Sequence, residues 1–283
     1  MGLEKSGEGE KIPNPLGLSA KVLAGWVALH GVSVLPAHAA EIPAGTPWPK
    51  ALAMVHEDSS TKPYEVGGLV VARGNGKHEW RVWSKGEEPK DGKTAPSVTT
   101  SMKIIAENLK TITNKEDYLC VIHSHIRAKV LGLRITSTPP SPGDMFSAVM
   151  AAVSPQIPAD AVHKIKHGAV DNIGAWSYGL VESPKLLRQR IKTQGDLDQY
   201  MKENASKYNS AMQAGLEWTV YVGELEMSTT FGSLTDAQKV NQLRGDRKYR
   251  EFQQSYLDAG LIVKYATREE AAAGAPCDSK VGK

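Results

Sequence analysis

The spacing of apolar residues changes several times along this chain, and each change marks an element. Around the pair Asn75-Gly76, the stretches 69–73 and 77–82 carry Val, Trp and Leu at strand-like spacing. Asn-Gly between two such stretches is the strongest short-range signal for a two-residue hairpin, here spanning 68–83. The run Tyr118-Leu119-Cys120-Val121-Ile122 is apolar and β-branched enough for a strand, and so are 174–181 and a shorter stretch at 52–56. Helices are expected near 98–112 and over 145–153, with a Gly-, Pro- and Lys-rich turn at 85–96 and an irregular entry at 43–49. From Pro184 onward the pattern becomes helical over 185–214 and 235–259, with a strand-like 217–227 between them. A last edge strand at 261–265 precedes a frayed end from Glu269. The fold class that follows is α/β: a mixed β-sheet flanked by helices, with a mainly helical C-terminal extension.

The chemistry concentrates where the strand at 118–122 ends. His123-Ser124-His125 places two imidazoles at i and i+2, on one face of a strand, where both ring nitrogens can meet one ion. A loop later, Ser141-Pro142-Gly143-Asp144 opens the helix at 145–153. That sequence also reads as a capped helix start, with Ser141 as N-cap, Pro142 at the first helical position and Asp144 near the positive helix end. Capping and ligation are compatible, because a side chain held at a helix N-terminus is a rigid place from which to reach a metal. Three protein ligands on a tetrahedral ion leave one position for water, as in catalytic zinc sites. A further acid, Glu65, opens the otherwise apolar stretch Val66-Gly67-Gly68-Leu69-Val70-Val71.

In these residues the chain resembles the JAMM (JAB/MPN-type) zinc metalloprotease family. The pattern of that family is an upstream Glu in a Glu-x-x-Gly strand, then His-x-His, then Ser-x-x-Asp; Glu65, Gly68, His123, His125, Ser141 and Asp144 follow it in order, and an uncharacterised bacterial branch is the most similar. The resemblance implies Zn2+ held by His123, His125 and Asp144, Glu65 as general acid and base, and Ser141 as donor to a developing oxyanion. It also implies a JAB/MPN-like sheet and amide or isopeptide hydrolysis of a protein or peptide substrate. Two features depart from the pattern. Ile126 stands where Pro usually follows the second His, and 126–140 is longer than the family's spacing. The insertion can cover a substrate or displace Asp144.

Composition narrows the classes. At 283 residues with 41% hydrophobic content, one large domain or two small ones can bury a core, and a net charge of +3 singles out no partner. Without a basic run, a Gly-rich phosphate loop or an interleaved aromatic patch, the sequence gives nucleic-acid binding no support. Cys120 and Cys277 form no Cys-x-x-Cys unit; Cys120 either packs inside its strand or pairs with Cys277. Near the N-terminus, Lys21 precedes an apolar run over 22–35 and then Ala37-His38-Ala39, the form of a secretory signal cut before Ala40. The run is too short to span a bilayer comfortably, so stable membrane insertion is not expected. The organisation is therefore a signal peptide at 1–39, a JAMM-like metallohydrolase domain at 40–184 and a helical region at 185–283 packed on it. Location is outside the cytoplasm, with an ordinary apolar helix of a cytoplasmic protein as the alternative.

Other residues read as structural. His163 and His167 lack the Glu that a zincin helix needs after its first His, and are expected at the surface. Glu224 and Glu226 are expected on a solvated strand face, and Asp196 with Asp198 at a helix start. Beside the enzyme stand two other functions: a binding module of the same fold without catalysis, and an effector delivered into other cells.

Overall fold

A computed structural model describes residues 42–61, 65–85, 100–125, 128–130, 133–274 and 277; the expected signal segment at 1–39, nearly all of the 85–96 turn and the chain end from 278 lie outside them. Helix α1 (Trp48–Thr61) is followed by β1 (Val66–Ala72) and β2 (His78–Lys85), then α2 (Met102–Leu109) and β3 (Tyr118–Ser124). A small hairpin, β4 (Ala128–Val130) and β5 (Leu133–Ile135), leads to α3 (Pro142–Val153), a 3-10 turn and β6 (Ile165–Val170). Then come β7 (Gly174–Leu180), α4 (Pro184–Arg190), α5 (Gln194–Glu226), α6 (Thr229–Gly232), α7 (Asp236–Gly245), α8 (Arg247–Asp258), β8 (Leu261–Thr267) and α9 (Arg268–Ala273). Among the described residues six strands form one mixed sheet in the order β2-β1-β3-β6-β7-β8. Only the central pair β3 and β6 is parallel, so the chain between them must cross over, and α3 is the crossover helix.

The hairpin forms where it is expected, but not through a two-residue turn at Asn75-Gly76: β1 and β2 close at Ala72 and His78, the Gly76 amide donates to the Arg73 carbonyl at 2.9 Å around Gly74 and Asn75, and Gly76 follows at φ 79°, where other residues are strained. Gly68 of the motif has a separate reason. A Cβ there would lie 2.1 Å from the Val82 carbonyl oxygen and 2.3 Å from the Trp80 ring, beside a register shift between Leu69 and Val70. Trp80 occupies that space and stacks on Trp48 at 6.4 Å, and the Trp48 indole donates to the Ala271 carbonyl at 2.6 Å. Around this pair, Leu52, Val55, Val70, Ile122 and Val170 make one core. On the other face Trp176 stacks on Tyr265 at 4.1 Å and meets Phe252 of α8, which in turn stacks on Trp218 of α5.

Several expectations are corrected. The stretch at 52–56 lies in α1, not in a strand: buried Trp48, Ala51, Leu52 and Val55 recur at helical spacing, a period the five-residue window hides. The strand-like 217–227 is the last part of α5, a single helix of 33 residues in which Gly215, Trp218, Thr219 and Val222 are the buried stripe. There the β-branched and aromatic content of the segment yields to packing against α8. Glu226 accordingly lies on a helix, where it pairs with Lys239 at 2.9 Å. The helix expected at 185–214 breaks between α4 and α5, where Thr193 and Asp196 form a new capping box. The end from Glu269 is not frayed throughout, since α9 buries Ala271 and Cys277 bonds to Cys120 across 157 residues. Finally, β6 has no counterpart in the hydrophobic pattern, and His167 on it is buried.

The turn between β6 and β7 joins these layers. Asp171 accepts from the amides of Ile173 and Gly174 at 3.0 and 2.7 Å, from the Trp176 indole at 2.8 Å and from the Tyr265 hydroxyl at 2.9 Å. Burial pushes its carboxyl above the usual range, and these donors work in the opposite direction. Its carbonyl accepts from His56 Nδ1 of α1 at 2.8 Å. Asp171→Ala leaves buried donors without an acceptor and should cost about 3 to 5 kcal/mol in urea unfolding. A loss within about 1 kcal/mol of wild type would show that the turn is held by other contacts.

Candidate metal centre

Open α/β sheets place ligands outside the carboxyl ends of their strands, where crossover helices begin. The parallel pair β3 and β6 creates one such place. The His125 amide donates to the Val170 carbonyl at 2.7 Å, carrying the ladder one residue past β3 so that His123 and His125 keep a strand's alternation and share a face. Their Nε2 atoms lie 2.9 Å apart. Across from them α3 begins. Asp144 Oδ1 is 3.0 Å from His123 Nε2 and Oδ2 is 3.5 Å from His125 Nε2. These residues form a cluster whose ligand atoms lie within 4.8 Å of one another.

The donor set fits a metal ion. His125 Nδ1 donates to the Thr138 carbonyl at 2.7 Å, so that in the neutral ring the lone pair is on Nε2, facing the cluster. A single proton can bridge one pair of these atoms but not all three. Zinc ligands at about 2.0–2.1 Å in a tetrahedron stand about 3.4 Å apart, and separations of 2.9, 3.0 and 3.5 Å bracket that value. Without a metal, electrostatics falls on His125. Burial opposes its charge, but the hydrogen bond and charge of Asp144, joined by Glu65 and the Thr138 carbonyl, push its pKa up to about 9. Burial likewise opposes ionisation of Asp144, and His123 and His125 together hold it well below the carboxylate range.

Asp144 caps as well. The Ser141 amide donates to Asp144 Oδ2 at 2.6 Å, and the Asp144 amide donates to Ser141 Oγ at 3.3 Å, a complete capping box. The Ser141 hydroxyl stays exposed, with its own hydrogen free to donate. At the far end of α3, Arg188 donates to the carbonyls of Ala152, Ser154 and Ile157 at 2.6 to 3.0 Å, so both ends of the helix are held.

The segment between β3 and α3 leaves Asp144 facing the histidines. Its returning part is pinned at four points: the Thr136 hydroxyl donates to Glu226, the Thr136 carbonyl accepts from the Asn172 amide, the Thr138 carbonyl accepts from His125 and the Pro140 carbonyl accepts from the Tyr256 hydroxyl. Glu65 comes to the same place from β1. Gly67 pairs with His123, so Glu65 stands one step beyond, level with His125, and the next amide, Val66, donates to buried Ser124 Oγ at 2.9 Å. The structure thus brings Glu65, His123, His125, Ser141 and Asp144 to one end of the sheet.

Three participants escape the motif. Ser124, between the histidines, anchors the start of β1. Tyr178 of β7 sets its ring edge against His123 at 6.4 Å, and burial, reinforced by Asp144 and Glu65, raises its hydroxyl well above 10, so it stays protonated. His167 stacks on Tyr178 at 5.5 Å; burial first, and His123 second, lower its pKa to about 4. A signal for His167 was available in the parallel register, which sets it beside Val121, two residues before His123. No protein family, no curated protein and no solved structure matches the chain.

Proposed function

We propose that the protein is a zinc-dependent amide or isopeptide hydrolase of the JAMM type acting on a protein or peptide substrate. The observation that carries this reading is the convergence of His123 Nε2, His125 Nε2 and the Asp144 carboxylate at the carboxyl end of β3, with Glu65 beside them. His123, His125 and Asp144 would hold a zinc ion, which would supply Lewis-acid polarisation and lower the pKa of water. Glu65 would take a proton from water as general base and return it to the leaving amine as general acid. Ser141 donates its free hydroxyl hydrogen to the oxygen that gains charge. Thr138 holds the His125 tautomer, and the α3 N-terminus favours the ionised Asp144.

Export belongs to the same proposal. The Cys120–Cys277 disulfide is at home in an oxidising compartment, in agreement with the signal-like 22–39 segment. No described helix is long and apolar enough to cross a membrane. The substrate is then a protein or cross-linked peptide met outside the producing cytoplasm.

Elemental analysis should find close to one zinc per chain in wild type and almost none in His123→Ala or Asp144→Ala. Glu65→Gln should keep the metal while hydrolysis falls by about a hundredfold or more; metal-free wild type after growth in zinc would refute the site. Zinc binding also has a pH signature. Because His125 in the metal-free site holds its proton up to about pH 9, binding below that pH releases it, and apparent affinity should rise about tenfold per pH unit until it levels near 9. Titration calorimetry in buffers of different ionisation enthalpy reads that proton directly, and a buffer-independent enthalpy at pH 7 would count against it. For export, N-terminal sequencing of protein from its native cell should begin at Ala40, whereas an intact Met1 or Gly2 in the soluble cytoplasmic fraction would reject it.

A further inference from the structure

The sheet is not paired along its whole length. β6 begins at Ile165 and β7 ends at Leu180, yet the two strands pair only over 167–170 and 175–178. The phase of the ladder fixes which groups the missing rungs leave over. In the turn the Asp171 amide donates to the Gly174 carbonyl, so every second residue outward from there, down to His167 and Ile165 on β6 and Tyr178 and Leu180 on β7, turns its amide and carbonyl towards the other strand. On the far side of β7 the Val181 amide donates to the Gly260 carbonyl, so Gly179 and Val181 face β8 and Leu180 faces β6. The Ile165 amide is taken up by the Val162 carbonyl. Among the described residues, the Leu180 amide and the carbonyls of Leu180 and Ile165 are thus left without a ladder partner. The strand ends part around a cavity of about 270 Å³ whose lining includes Ile165, Gly179 and Leu180, all three half-buried. A Cβ built on Gly179 would meet nothing within 4 Å.

We propose that this slot docks an extended acidic segment of a partner protein, which adds to β7 by pairing one of its residues with the Leu180 amide and carbonyl. Backbone groups shielded from water need partners, and an unpaired strand edge is a template for another strand. Because His167 and Tyr178 still pair, the slot is closed at its inner end and admits a segment only from the end of the sheet. Charge selects the partner: the lining carries Lys166 and two histidines and no carboxylate. Exposed Val181 and Ile262 flank Leu180 and Gly179 and offer contact to apolar side chains of the same segment. Ile165 stands level with Leu119 near the start of β3, whereas His123 lies near its end, so the slot is remote from the metal centre and does not depend on the hydrolase reading.

Amide hydrogen exchange of the full chain, followed residue by residue by NMR, reads the slot directly. In the free protein the Leu180 amide should exchange at least about a hundredfold faster than the Tyr178 amide, which is in the ladder. The probe is an acetylated and amidated pentapeptide of alternating Val and Asp. It should slow Leu180 exchange at least about tenfold, saturate, and bind about ten times more tightly than the same peptide with Lys in place of Asp. Gly179→Leu, whose side chain enters open space and leaves the fold intact, should weaken the acidic peptide at least about tenfold, and Lys166→Gln should narrow the preference for Asp over Lys. A Leu180 amide as slow as that of Tyr178 in the free protein would show the strands closed and overturn the slot. Equal binding of the two peptides, or binding that never saturates, would overturn the acidic partner. Leu180 protection that rises with protein concentration would make a second copy the occupant, and exchange that quickens on removal of residues 278–283 would make it the chain's own end; either result replaces the partner proposed.

Discussion

The buried Asp171 carboxylate is the constraint on which the rest of the structure leans. One side chain closes the β6–β7 turn, fixes the indole of Trp176 and holds the Tyr265 hydroxyl of β8, while its carbonyl takes a hydrogen bond from His56 of α1. Strands β7 and β8, the turn between β6 and β7 and helix α1 on the opposite face therefore meet at a single residue. The next residue, Asn172, gives its amide to Thr136 and its carbonyl to Arg268. Thr136 begins the segment that runs past Thr138 to the Ser141 cap. Five residues of backbone thus link a structural corner to the helix end that carries Asp144. A displacement at Asp171 would reach His125 along two routes, through the neighbouring Val170 carbonyl that accepts from its amide and through the Thr138 carbonyl that accepts from its ring.

That connection explains how a long crossover coexists with an ordered site. Extra residues in a loop cost little entropy once their ends are fixed, and here the returning end is fixed by hydrogen bonds to α5, to the turn, to His125 and to α8. The buried pair of Glu226 and Lys239, with side chains 12% and 10% exposed, gives Thr136 an ionised acceptor of defined position. Breaking one partner of such a pair is costly, which makes it a firm anchor even though its net contribution is small.

Some of this was legible in the sequence. Asn75-Gly76 marks the place of the hairpin though not its turn, which closes around Gly74 and Asn75, and His-x-His on a strand fixes a shared face by geometry alone. The Ser141 and Asp144 cap was also readable, since its chemistry is local. What failed was non-local. The segments 52–56 and 217–227 are apolar and β-branched, yet tertiary packing makes helices of them, and the period shows only when the buried residues are known. β6 has a mixed composition, Ile165-Lys166-His167-Gly168-Ala169-Val170, and becomes a central strand through parallel pairing with β3. His167 is buried for the same reason, and neither the Cys120–Cys277 bond nor the Thr138 carbonyl has any mark in local sequence.

Asp144 shows how one residue meets two demands. Its Oδ2 accepts from the Ser141 amide while Oδ1 faces His123, so the hydrogen bond that caps α3 also orients the carboxylate towards the imidazoles. Charge completes the argument. Asp144 and Glu65 both act on His125, and in the metal-free site that histidine keeps its proton as the nearest available cation. A divalent cation held by neutral imidazoles would stand where that proton stands beside Asp144, so the acid that does most to raise His125 to about 9 favours an ion of charge +2 over a proton once the pH lets His125 give its proton up.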